Sequence, residues 1–235
     1  MHDQSSPQSK NHLLAALPRA DYDRLAPHLE LVKSDINHYF YHAGEQMKYA
    51  YFPLGMMISL VSKMADGGSV EVGVIGFEGM AGLPLVLGVE QSPHETMVQL
   101  PDSAMRIEAK VLQKEFKRGG ALHDLLLRYA QGVITHTSQI AACNRMHLVE
   151  ERLARWLLMC HDRYRSDKLP LTQEFLAMML GCRRVGVTAA ALNLQTQGYI
   201  NYKRGHITII DRPGLEDFAC DCYRVVKAEF DCLTV

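Results

Sequence analysis

The chain has 235 residues, 48% of them hydrophobic and 22% charged, with a formal net charge of −1. This excludes a disordered chain and leaves room for one large or two small well-packed domains. No run of about 18 apolar residues occurs, so no membrane-spanning helix and no membrane partner are expected.

The charge is unevenly placed. Residues 151–212 carry ten basic and five acidic groups, a net +5 that leaves −6 on the rest of the chain. A basic segment on an acidic body is the electrostatic outline of a modest DNA-binding module.

The N-terminal "MHDQSSPQSKN" is polar and lacks the apolar core of a signal peptide, which points to a cytoplasmic protein. Single cysteines in apolar or helical contexts (Cys143, Cys160, Cys182) agree with reduced, core-like thiols. Residues 1–30 form an N-terminal helical segment. Leu13, Leu14 and Leu17 have helical spacing, broken at Pro18 and Pro27.

From 31 to 118 the texture is β. In "MMISLVSKMADGGSVEVGVIG" an apolar run meets the turn residues Asp66-Gly67-Gly68, then Val70, Val72 and Val74 alternate with Ser69, Glu71 and Gly73. That is a hairpin with a half-buried second strand, and the alternation turns Glu71 to solvent. Further short strands turn at Gly44 and Pro101-Asp102, so the region reads as an antiparallel barrel or jelly roll.

Residues 119–147 read as one long helix. Leu122, Leu126, Tyr129, Val133, His136, Ile140, Cys143 and His147 make a near-heptad stripe, apolar except at two histidines. Such a stripe needs a cover, and a second copy of the helix in a homodimer supplies one. On that reading Leu122, Leu126, Tyr129, Val133, His136 and Ile140 form the dimer interface, the histidines set register, and Gly132 lets a partner backbone approach. The alternative is a core helix covered within the chain.

Residues 148–235 contain "LTQEFLAMMLGCRRVGVTAAALNLQTQGYI". Thr172 is an N-cap, and Leu176, Met179 and Leu180 supply a buried face. Gly181 permits the left-handed turn into a second helix that buries Val187, Ala190, Ala191 and Leu194. Arg183, Arg184 and Thr188 are left outward at the start of that helix. This is the plan of a helix-turn-helix, whose second helix enters the major groove. Arginine suits the position because its fork bonds guanine O6 and N7 together. "YINYKRGHITIID" then folds back at Lys203-Arg204-Gly205, a β wing placed to lie on phosphates.

Barrel, long helix and winged helix-turn-helix, with Thr172-x3-Leu176-Ala177-x2-Leu180-Gly181-x2-Arg184, resemble the Crp/Fnr transcription regulators over roughly residues 12–212. "HAGE" at 42–45 and "VGVIGFEGMAG" at 72–82 look like that family's sensor barrel. The resemblance implies an α+β fold and a homodimer on an inverted repeat of double-stranded DNA. It also implies RNA polymerase as a partner and a small-molecule effector in the barrel. The expected DNA contacts are Arg183, Arg184, Thr188, Thr172, Gln173, Lys203 and Arg204.

The sensor pocket implied by the resemblance falls on Glu71, Gly79, Met80, Ala81, His94 and Glu95. Cyclic-nucleotide members carry a Glu after the glycine and an Arg-Ser or Arg-Thr pair further on. Here Met80 follows Gly79, and His94-Glu95 stand near the place of the pair. A thioether cannot accept from a ribose hydroxyl and a carboxylate repels a phosphate, so the effector is not expected to be cyclic AMP. Iron–sulfur members use N-terminal cysteines, and none precedes Cys143.

On the recognition helix the family's Arg-Glu-x3-Arg becomes Arg184-Val185-x3-Ala189, which predicts a different operator. Cys220, Cys222 and Cys232 match no common zinc signature, so they read as buried thiols, with no metal and no cofactor. GxSxG, Walker, GxGxxG and HExxH patterns are absent, and no enzyme is expected. The other functional reading is a barrel that binds a ligand or a protein and does not read DNA.

Overall fold

The computed structural model describes residues 7–164 and 166–232. Three short helices, α1 (Pro7–Lys10), α2 (His12–Ala15) and α3 (Arg19–Leu25), lie across one end of a β domain. Asn11 anchors them: its fully buried side chain donates to the carbonyls of Pro53 and Gly79 and accepts from the backbone of Leu14.

The β domain has seven strands: β1 (Glu30–Ser34), β2 (Tyr39–Tyr41), β3 (Tyr49–Pro53), β4 (Met57–Lys63), β5 (Ser69–Ile75), β6 (Glu95–Leu100) and β7 (Asp102–Glu108). They form two antiparallel sheets, ordered β1-β7-β3 and β2-β6-β4-β5, closed face to face around Phe52, Met56, Met57, Ile58, Val98 and Ile107. The turns fall at Gly44, Asp66–Gly68 and Pro101, as expected from the sequence. This is the predicted antiparallel barrel of jelly-roll type.

The alternation in β5 is corrected by the structure. The β4–β5 ladder passes from Leu60↔Gly73 to Val61↔Glu71, so Val72 is an extra residue at a β-bulge. A bulge inverts the faces of the residues beyond it. Glu71, read as solvent-facing, is buried.

After α4 (Ala109–Lys117) comes the long helix α5 (Ala121–Met146), about 39 Å at 1.5 Å per residue. The next helix, α6 (Val149–Tyr164), begins the C-terminal domain. That domain continues with β8 (Lys168–Leu169), α7 (Gln173–Leu180), α8 (Arg184–Thr196), β9 (Ile200–Lys203), β10 (His206–Ile209), α9 (Arg212–Phe218) and α10 (Cys222–Asp231). Among the described residues no single helix is long and apolar enough to cross a membrane.

The proposed dimer stripe of α5 is covered inside the chain. Leu122, Leu126, Tyr129, His136 and Ile140 are buried, and Val133 packs against the same core. The covers are β5 of the barrel and α10, which lies along α5 and brings Phe230 onto Tyr129, Gly132 and His136. Gly132 therefore admits Phe230 rather than a partner backbone. His136 sets no dimer register: its ring meets Phe230 edge-on, and burial lowers its pKa to about 3. The face of α5 left outside carries Leu127, Ile134 and Ala141, seven residues apart, with Gln131, Ser138 and Arg145 between and beyond them. Leu127 and Ile134 are 44% and 59% exposed.

The two domains are docked. Gly181, left-handed at φ +57° as expected, ends α7 directly against Val70 of β5, where a Cβ would come within 2.7 Å of the valine methyl. Gly181→Ala should therefore combine backbone strain with a steric clash and destabilise the chain by about 1–2 kcal/mol. A fall in the urea unfolding midpoint measures it, and Val70→Ala in the same chain should restore part of the loss.

Candidate nucleic-acid interface and its link to the barrel

Helices α7 and α8 meet at 105°, within the range of a helix-turn-helix. Thr172 caps α7, its hydroxyl accepting from the amide of Phe175 at 3.2 Å. Leu176, Met179 and Leu180 face the core, as do Val187, Ala190, Ala191 and Leu194 of α8. Arg183 occupies the N-cap of α8 with extended backbone and makes no capping bond.

The outward residues agree with the sequence reading. Arg183, Arg184 and Thr188 are exposed on one side of α8, and Gln173 is held among them. The Gln173 side-chain oxygen accepts from the Thr188 hydroxyl at 3.0 Å and from Arg184 Nε at 3.4 Å. The wing β9–β10 turns through Arg204 (φ +49°) and Gly205 (φ +75°), consecutive left-handed residues that suit a tight hairpin. Its tip lies beside α7, since a Cβ on Gly205 would stand 3.7 Å from Thr172. Thr172, Gln173, Arg183, Arg184, Thr188, Lys203 and Arg204 thus belong to one surface. None of its four cations forms an ion pair with a described residue.

Val185, not among the contact residues expected from the sequence, lies on the same surface. It is 79% exposed beside Arg184, and Ala189 follows one turn on. An apolar side chain held out in water at this place fits a thymine methyl. The signal was present in the sequence, as the valine standing where the family has glutamate.

The surface is tied to the barrel by α6. Trp156 Nε1 donates to Glu71 Oε1 at 2.8 Å, and the indole packs edge-on against Phe175 of α7, centroids 6.3 Å apart. Ser59 Oγ lies 2.7 Å from both Glu71 Oε2 and Gln99 Oε1. One hydroxyl has a single proton and cannot donate to both acceptors. If Glu71 is a neutral acid, its own proton goes to Ser59 and the serine proton to Gln99, whose amide donates on to Cys160 at 3.4 Å. Every group is then satisfied. Burial drives the Glu71 pKa up to about 7, with Ser59, Trp156, Arg155 and Arg163 offsetting only part of that cost. Two turns on from Trp156, Arg163 Nε donates to Glu78 Oε1 at 2.8 Å in a buried ion pair.

The expected effector pocket is largely closed. Glu71 turns to α6 instead of the barrel interior. Gly79, Met80 and Ala81 pack under α5, where Tyr129 donates to the Met80 carbonyl at 3.0 Å and its ring excludes any Cβ on Gly79. Glu95, itself buried, is paired with the exposed His42 at 2.8 Å and Lys63 at 3.1 Å. Burial alone would raise its pKa, but these two partners bring it below the ordinary value. Of the expected pocket residues His94 and Met80 line the interior cavity, with Tyr129 and Val133, and burial lowers the His94 pKa. That cavity measures about 40 Å3, far below the roughly 300–1,000 Å3 of a small-molecule pocket. A nucleotide does not fit this conformation.

Away from this surface, Cys143 and His147 at the end of α5 meet Cys220 and Cys222 at the start of α10. Cys232 is exposed and apart from them.

Residues 151–218 match the Crp-like helix-turn-helix domain. No protein of curated function matches the chain by sequence. In fold the chain is similar to FixK2 from Bradyrhizobium japonicum, with a TM-score of 0.69 at 16% identity, covering 82% of this chain and 98% of that one. It is equally similar to a putative Crp/Fnr-family transcriptional regulator from Eubacterium rectale (TM-score 0.69, 17% identity, 88% and 96% covered). A CRP-family transcriptional regulator from Thermus thermophilus follows at 0.67 and 17%, covering 80% and 96%. At such identities the likeness to these structures is one of fold.

The Glu71 network predicts a pH dependence. The folded pKa is about 7 against an ordinary 4.5, so the folded state binds the proton more tightly than the unfolded one. Its stabilisation is complete below about pH 4.5 and is lost as pH rises through 7, a few kcal/mol at most. Denaturant titrations from pH 5 to 8.5 should show the wild type losing stability relative to Glu71→Gln. The contribution of His136 is common to both and cancels in the difference.

Proposed function

We propose that the chain, with a Crp-like helix-turn-helix domain over residues 151–218 on a fold similar to that of Crp/Fnr regulators, is a homodimeric, sequence-specific DNA-binding transcription regulator. The observation that carries this reading is the unpaired basic surface formed by α8 and the wing. Four cations with no carboxylate partner, next to an exposed valine, suit a groove lined by phosphates and base edges. A protein-binding barrel without DNA has no use for that combination.

In this reading α8 enters the major groove. Arg184 takes a guanine, Arg183 and Thr188 take neighbouring base edges, and Val185 meets a thymine methyl. Thr172, Gln173, Lys203 and Arg204 hold phosphates and set the register of the helix. The two copies pair along Leu127, Ile134 and Ala141, the seam of α5 that the chain itself leaves uncovered. Their recognition helices then read half-sites one helical turn apart, about 34 Å. On its operator such a dimer acts by contacting RNA polymerase or by excluding it.

Control of the dimer passes through the barrel–α6 contact. Glu71, Trp156 and Phe175 form a short chain from β5 to the first helix of the DNA-reading pair. An effector other than a cyclic nucleotide would act by preferring one packing of this contact over another. The small interior cavity supports an effector that is small, or one that binds outside the barrel.

Selection of genomic fragments by the purified protein at stated salt should recover a shared inverted repeat. Arg184→Ala should relax the choice at one base pair per half-site, costing about 1–3 kcal/mol there. Lys203→Ala should weaken all sequences alike and reduce the salt slope by about 1. Val185→Ala should lower preference for a thymine and leave the salt slope unchanged. Equal retention of all fragments by wild type and Arg184→Ala would remove the sequence-reading assignment.

The dimer seam has its own test. Ile134→Glu puts two charges opposite each other at the seam and should yield monomers in analytical ultracentrifugation, with the far-ultraviolet spectrum unchanged. Leu122→Ala, inside the chain, should instead lower the unfolding midpoint and leave the association state as it is.

A further inference from the structure

The end of α5 and the α9–α10 junction meet at four side chains that the DNA-reading surface does not use. Cys143 lies in the last turn of α5 and His147 caps that helix. Cys220 precedes α10 and Cys222 opens it. Cys143 Sγ is 3.5 Å from Cys220 Sγ, and Cys222 Sγ is 3.5 Å from His147 Nδ1. All four ligand atoms lie within 4.8 Å of one another, and the three cysteines are buried.

These separations are close to the edges of a tetrahedron around one ion. With Zn–S near 2.3 Å and Zn–N near 2.05 Å, the edges are about 3.8 Å for S–S and about 3.6 Å for S–N. Small side-chain rotations bridge the difference. An iron–sulfur cluster, which interposes its own sulfides, needs its ligand atoms further apart. Three thiolates and an imidazole select a soft or borderline cation over calcium or magnesium.

The charge around the cluster points the same way. Arg152 and Arg155, in the first turns of α6, are 7% and 3% exposed, and each has an Nε without a hydrogen-bond partner. Neither pairs with a carboxylate among the described residues. Both stand on the helix that begins two residues after His147. Arg155 also lies near Glu71, whose pKa burial raises to about 7, so that acid offsets its charge only in part. Buried guanidiniums without counter-charge are costly. A divalent ion with three thiolates and a neutral imidazole carries a net −1 and supplies the missing charge, whereas three neutral thiols do not. Gln139 completes the surroundings, its amide donating to Cys222 Sγ at 3.1 Å.

We propose that Cys143, His147, Cys220 and Cys222 form a tetrahedral site for one zinc-class divalent cation, tying the end of the long helix to the last helix of the chain. The ion would sit beside the His147–Leu148 link, where α5 passes into α6, and would fix the start of α10 against the end of α5. Binding replaces thiol protons by metal–sulfur bonds and releases up to three protons per ion, fewer where a thiolate is already present. The spacings Cys143-x3-His147 and Cys220-x-Cys222 bring the ligands in from two distant segments.

The test is anaerobic titration of the full, reduced, chelator-treated chain with Co2+, followed by Zn2+. One Co2+ per chain should give sulfur-to-metal charge-transfer absorption and the strong visible bands of tetrahedral cobalt, both removed by one equivalent of Zn2+. Cys143→Ser and Cys222→Ser should weaken Co2+ binding at least 100-fold, while Cys232→Ser, outside the cluster, should bind as the wild type. Gln139→Ala should weaken it about tenfold. If the cluster variants do not fold, native thiol titration of the wild type decides: Zn2+ should protect three cysteines that a chelator exposes again. Uptake of no Co2+, weak octahedral bands, or equal binding by Cys222→Ser and wild type would overturn the proposal. So would a Cys143–Cys220 disulfide formed in air by a chain that takes up no cobalt.

Discussion

The docking of α6 on the barrel is the contact on which the rest of the arrangement depends. Its two acids are handled in opposite ways. Glu78 stays beside Arg163 in a buried ion pair, while Glu71, its pKa raised by burial to about 7, shares the Ser59 hydroxyl with Gln99 in a network that closes when the acid is protonated. A buried ion pair adds little net stability, but breaking one side of it is costly, so it specifies a geometry more than it strengthens one. The Glu71 network has the same character with a lower threshold, because a single proton decides whether its hydrogen bonds all close. Trp156 couples this to the DNA-reading helices, touching Glu71 with its N–H and Phe175 with its ring edge.

That docking also decides what α5 can offer to another copy. With the barrel on one side and Phe230 of α10 on the other, its most apolar stripe is used up within the chain. What remains is a thinner seam of Leu127, Ile134 and Ala141. Such a seam, diluted by Gln131 and Ser138, gives a helix pair less apolar area than the inner stripe would have done. In the proposed dimer, small changes in how the barrel and α10 hold the helix would alter how two copies meet.

The parts of this architecture that were legible in the sequence are those governed by neighbours. The cap at Thr172, the left-handed Gly181, the buried set Val187, Ala190, Ala191 and Leu194, and the basic hairpin all follow from local rules. The barrel turns at Gly44, Asp66–Gly68 and Pro101 follow likewise. The errors fall where a distant segment decides. Glu71 is buried against α6 because of a bulge that depends on the register with β4, and Trp156 reaches it from 85 residues away. The inner stripe of α5 looked like an interface because nothing local shows that α10 returns to cover it. The cysteines looked unrelated because Cys143 and Cys220 are 77 residues apart.

The two ends of α6 therefore answer to different chemistry. Its C-terminal half carries Trp156 and Arg163 and is held to the barrel by oxygen acids and a proton. Its N-terminal turns carry Arg152 and Arg155 and lie against sulfur. Were the cluster only three thiols and an imidazole, the first turns of α6 would carry two buried cations facing no anion. Such a domain would be expected to swing out and hydrate them, against the pull of Glu71 and Glu78 at the other end. A thiolate-bound cation removes that conflict, because its net negative charge holds the N-terminal turns where the barrel contact needs them. In this arrangement proton occupancy at one end of α6 and metal occupancy at the other bear on the same quantity, the angle at which α7 and α8 are presented.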